Sequence, residues 1–177
     1  PDGYTTSGRQ IMGRHAAGES FLRGFLEDSR GEDLWVQLEN RRHAQVFQEL
    51  AQRHGCTQTI HAIDRLHLAE LRRPGLCFHP GPGLAREAWQ RSLFGQRSWS
   101  LCGITHTICS ATAMDAIADL PTAPLHPWDA LICTSEAVRA SVQRLLDAQL
   151  SLLSTRFGGG RPPLPELSLI HISEPTR

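Results

Sequence analysis

Three groups of residues in the 177-residue chain have the types and spacing for chemistry. The first is the opening "SGRQIMGRHAAGESFLRGF", where Gly8, Gly13 and Gly18 stand at five-residue spacing with Arg9 and Arg14 among them. Glycine lets backbone N–H groups approach an anion, and a following helix N-terminus with a nearby guanidinium favours negative charge there. Gly8 to Gly13 has the four-residue gap of a P-loop. Arg14 and His15 nevertheless occupy the places of its Lys and Ser or Thr, so the hydroxyl that would hold magnesium is missing, and the glycines do not form G-x-G-x-x-G either. Anion binding and a plain strand-to-helix turn both remain open readings.

The second group is "LCGITHTIC". Cys102, His106 and Cys109 have the look of metal ligands, but on a strand Cys102 and His106 lie ~13 Å apart at ~3.3 Å per residue, too far to chelate one ion. No metal site is expected. At the carboxyl end of a strand His106 could hydrogen-bond a substrate hydroxyl or transfer a proton, or it could simply be satisfied by backbone carbonyls. The third group is "CTSEA", a turn ahead of the last long helix in which Ser135 is a natural N-cap.

These groups need elements to hold them. Ala17, Phe21, Leu22, Phe25 and Leu26 recur at helical spacing and predict an amphipathic helix over 16–28, with Gly18 and Gly24 implying close packing on a neighbouring backbone. Strands are expected at "DLWVQLE", "TIHAI", "GLCFHP", "WSLCGITHT" and "DALICTS". Helices are expected at "RRHAQVFQELAQRHG", "GLAREAWQRSLFG", "SATAMDAIADL" and "SEAVRASVQRLLDAQL", the last with Val138, Val142, Leu145 and Leu146 on one stripe. Strand and helix alternating in this way imply an α/β, Rossmann-like, doubly wound sheet, mostly parallel, with ligands at the carboxyl ends of its strands. Trp99 and Trp128, each just ahead of a strand, are read as packing anchors, and Cys102 and Cys133 as buried thiols.

Composition narrows the function classes. The eighteen basic and eighteen acidic residues cancel, which leaves no global field to attract nucleic acid. Five cysteines, an odd number without a C-x-x-C pair, suit a reducing, cytoplasmic setting. No apolar run approaches the ~20 residues that span a bilayer. "GGGRPPLPE" reads as a loop and linker. "LSLIHISEPTR", 167–177, resembles the translation of a sequencing-library adapter and is set aside as a non-native tail.

The run "GYTTSGRQIMGRHAAGESFLRGFL", then "GITHT", then "WDALICTSEAVRASVQRLL" and a proline-rich exit resembles the N-terminal domain of a glycosyltransferase family 4 enzyme of two-domain GT-B architecture. The resemblance covers most of 3–166. It implies an acceptor-side domain over 1–160 with its first strand truncated, and a linker beginning at 161–166. A separate C-terminal domain would bind the donor. The implied reaction is transfer of a sugar from a nucleotide-sugar to an alcohol acceptor with retention, without a bound metal or other cofactor. Ser7, Gly8, Arg9, Gly13 and Arg14 would lie near the donor diphosphate. His106 would be the catalytic imidazole beside Thr107, and Ser135 and Glu136 would line the cleft less directly. A cytoplasmic enzyme is implied, with peripheral membrane docking left open, and the piece by itself is expected to be inactive. A non-catalytic phosphate- or nucleotide-binding module is the alternative. Fingerprints of other doubly wound enzymes, G-x-G-x-x-G and G-x-S-x-G, do not occur.

Overall fold

Short β-branched and aromatic runs alternate with helical periodicity along the chain, and the computed structural model, which describes residues 13–29, 32–38, 41–106 and 108–169, folds that alternation into two compact units, Pro1–Pro74 and Gly75–Arg177. The class is the expected one, α/β and Rossmann-like with parallel strands.

In the first unit, helix α1 (Gly13–Asp28) is followed by β1 (Leu34–Gln37), α2 (Arg41–Arg53) and β2 (Ile60–Ile63). The two strands pair in parallel with Leu34 opposite Ile60. Leu22 and Leu26 of α1, Leu34 of β1, and Leu50 and Ala51 of α2 form a core, with Val46, Phe47, Cys56 and Ile60 packed on it. Burying such a leucine contributes about 1.5–3 kcal/mol. Gly55, at φ 72°, ends α2 in the left-handed conformation that glycine adopts most readily.

Two details of α1 depart from expectation. Phe25 is 49% exposed and stacks along the helix on Phe21 instead of joining the core. A Cβ added at Gly24 would meet nothing within 4 Å, so that glycine faces open space and no close backbone approach explains it.

The second unit is a four-stranded parallel sheet in the order β3 (Leu76–His79), β4 (Ser100–Thr105), β5 (Ala130–Cys133) and β6 (Glu166–Leu169), joined by crossover helices α3 (Ala85–Ser92), α4 (Ala111–Ala118) and α5 (Glu136–Phe157). Leu101, Thr105, Leu131 and Cys133, which share one face at the two-residue period of a strand, are all buried. Gly103 lies between them for a steric reason: a Cβ there would stand 2.7 Å from the carbonyl oxygen of Gly81. The loop after β3 rests on β4 at that point, and the Ile104 N–H donates to the same carbonyl at 3.1 Å.

Val142, Leu146 and Leu150 are the buried stripe of α5, which runs past the expected stretch to Phe157 and ends at Gly158, φ 68°. The exit segment is tied back to α5 by an ion pair between Arg161 and Asp147. Glu166–Leu169, which takes in 167–169 of the stretch expected to be a non-native tail, then adds to the sheet beside β5, where the Glu166 N–H donates to the Asp129 carbonyl at 2.8 Å.

A fully buried ion pair binds these pieces. Arg91 on α3 meets Asp129, just before β5, through Nη1 at 2.5 Å and Nη2 at 2.8 Å, and both side chains are 0% exposed. Arg91 also donates to the carbonyls of Trp99 and Pro124 at 3.0 Å, while Asp129 accepts from the N–H groups of Leu101 and His126 at 2.9 Å. Trp99 is buried, as expected of an anchor, whereas Trp128 is 43% exposed and stacks on His126 with rings 4.3 Å apart.

Candidate functional site

In a parallel sheet the carboxyl ends of all strands open on one edge, and there the chain turns into the next helix. Three neighbouring ends in the second unit carry polar residues: His79 closing β3, Thr105 and His106 at the end of β4, and Thr134, Ser135 and Glu136 after β5. Strands about 4.8 Å apart place these ends within roughly 10 Å of backbone.

His106 follows the last residue of β4 and is half-buried. Burial holds its ring pKa below the ordinary value of 6.5, so the neutral imidazole, with one donor and one acceptor nitrogen, is favoured. Thr105 beside it is buried, and its hydroxyl donates to the Ile132 carbonyl at 3.2 Å, joining the ends of β4 and β5. Ser110 caps α4 by accepting from the Ala113 N–H at 3.2 Å, which defines the far side of the turn.

Ser135 and Glu136 are at the expected corner, with local partners. The Ser135 hydroxyl accepts from the Val138 N–H at 3.2 Å as the N-cap of α5. Glu136, in the first turn, is exposed and pairs with Arg139 one turn on, at 2.9 Å.

The opening group is placed only in part. Gly13 and Arg14 form the first turn of α1 instead of the loop ahead of it, and Ser7, Gly8, Arg9 and Thr107 lie outside the described residues. The structure therefore brings together His106 with the Ser135–Glu136 corner on adjacent strands of one sheet. Cys102 is half-buried within β4, and burial pushes up the thiols of both Cys102 and Cys133. Among the described residues no group of three or more His, Cys, Asp or Glu side chains is arranged to hold a metal ion, and no helix is long and apolar enough to cross a membrane.

Two residues not singled out from sequence join the edge. His79 is 32% exposed at the side chain, and Glu87, in the first turn of α3, is 8% exposed. Glu87 Oε1 accepts from Arg86 Nε at 3.1 Å and Nη2 at 3.0 Å and stands 3.9 Å from His79 Nδ1, while its Oε2 is buried with no hydrogen-bond partner. The textual signal was "HPGPG": a histidine ending a strand, followed by a loop stiffened by two prolines.

No protein-family model, curated protein or solved structure matches the chain.

Proposed function

We propose that the chain is the acceptor-side part of a GT-B glycosyltransferase resembling family 4, which moves a sugar from a nucleotide-sugar donor to an alcohol acceptor with retention of configuration. The observation that carries this reading is the position of His106, a partly buried imidazole at the carboxyl end of β4, flanked by the ends of β3 and β5 in a parallel sheet. A neutral imidazole suits hydroxyl ligands because it both donates and accepts without presenting a charge. In this reading His106 orients hydroxyls near the anomeric carbon. The donor nucleotide and sugar are held by a separate donor-binding domain.

The test is sugar transfer by a chain that carries this domain together with its donor-binding partner, against its His106→Ala variant. Orientation and electrostatic contributions of this kind typically supply about 10²–10³ in rate. A loss of that order in kcat, with the donor KM little changed, supports the reading. Undiminished transfer by the variant, or turnover by the 177-residue chain alone, refutes it.

A further inference from the structure

The buried oxygen of Glu87 is an anomaly. A buried acceptor without a donor costs about 1–3 kcal/mol, and buried carboxyl groups are normally paired on both oxygens. Arg86 occupies Oε1 from the solvent side, and nothing occupies Oε2. The imidazole of His79 lies close, its Nδ1 3.9 Å from Oε1 and so beyond hydrogen-bond length. Catalytic and binding hydrogen bonds are often long in an unliganded site and tighten on binding.

The other ring nitrogen lies beside Gly81. A Cβ at Gly81 would stand 3.5 Å from His79 Nε2, in van der Waals contact with it, so a branched side chain there would crowd the nitrogen. The loop cannot drift away from this arrangement, because the Gly81 carbonyl is fixed by the Ile104 N–H at 3.1 Å and its N–H donates to the His79 carbonyl at 2.8 Å. Nδ1 is thus on the Glu87 side of the ring and Nε2 beside Gly81, and His79 itself closes β3 at the edge where ligands of this fold bind. Burial lowers its pKa more than the Glu87 carboxylate raises it, which favours a neutral ring.

We propose that His79 is a second hydroxyl-binding imidazole on the carboxyl edge, its Nε2 accepting from a hydroxyl of a neutral polyol or sugar, with Glu87 as the positioning residue that holds Nδ1–H. This rests on the reading that the edge takes an alcohol acceptor. A hydroxyl is the matching group because the Nε2 lone pair of a neutral ring needs a donor.

The test uses the 177-residue chain labelled with 15N-histidine, titrated with glucose and with glycerol and followed by ring-nitrogen NMR. His79 is expected as the Nδ1–H tautomer and is expected to shift saturably with the polyol. Gly81→Val should abolish the shift while leaving Glu87 in place. Glu87→Gln should weaken binding about tenfold, the equivalent of one buried hydrogen bond, and disturb the tautomer. If Glu87→Gln fails to fold, the Gly81→Val comparison decides. His79 remaining silent while His106 shifts overturns this inference and leaves the proposed function standing. Silence at both imidazoles overturns the two together. A His79 shift indifferent to both variants removes the site from the face defined by Gly81.

Discussion

Asp129→Ala should be among the most damaging single changes in the second unit. The carboxylate accepts four hydrogen bonds, two from Arg91 and one each from the N–H groups of Leu101 and His126, and is 0% exposed. Removing it strands a buried guanidinium whose Nε already lacks a partner, and removing one member of a buried ion pair costs about 3–5 kcal/mol. The two freed amides add about 1 kcal/mol or more each where they stay dry, which places the total at or above the top of that range. Against a typical stability of about 5–15 kcal/mol, the unit would be left marginal. Urea unfolding by circular dichroism measures the loss, and hydrogen exchange at the Leu101 amide locates it. The double variant Arg91→Met with Asp129→Asn removes both charges and keeps an acceptor for one amide, so it should cost less than Asp129→Ala alone. A loss below about 1 kcal/mol for Asp129→Ala with an unchanged urea slope would falsify the assignment of this pair as the tie between α3, β4 and β5.

Gly103→Ala forces a methyl to 2.7 Å from the Gly81 carbonyl oxygen and should cost about 1–3 kcal/mol, whereas Gly24→Ala, with nothing within 4 Å, should gain up to ~1 kcal/mol; the two melting temperatures should move in opposite directions. His79 and His106 both have ring pKa values held below 6.5 mainly by burial, so the unfolded chain binds protons first on acidification. Their contribution is intact above pH 6.5 and lost as pH falls below it; the urea midpoint should drop over that window, and a His79→Gln, His106→Gln double variant should flatten the drop. The Cys77 thiol is pushed up to about 11, by burial first and Glu87 second, while Cys109 is exposed, so iodoacetamide near neutral pH should modify Cys109 well before Cys77. Mass spectrometry of the alkylated chain reads the order, and early loss of Cys77 would contradict it.

Much of this fold was legible because its signals are local. Helical spacing of Leu22 and Leu26, the stripe Val142–Leu146, and the Ser135 cap each involve residues within a few turns of one another, and all appear in the structure. His106 was legible for the same reason: a polar residue directly after a run like "LCGIT" has to emerge at a strand end. Gly24 misled because glycine in a helix signals either contact or nothing, and only the neighbouring space distinguishes the two.

By itself, then, the sequence determined the alternation of elements, the α/β class, and the strand ends that bear His106 and Ser135, since periodicity and capping act over a few residues. Tertiary structure decided which distant groups meet. Arg91 and Asp129 are 38 residues apart and pair only because α3 crosses back over the sheet, His79 faces Glu87 only because the HPGPG loop folds against Gly103, and Glu166–Leu169 is a strand only because β5 offers it an edge. Those meetings depend on the packing of whole elements, and no short window of residues encodes them.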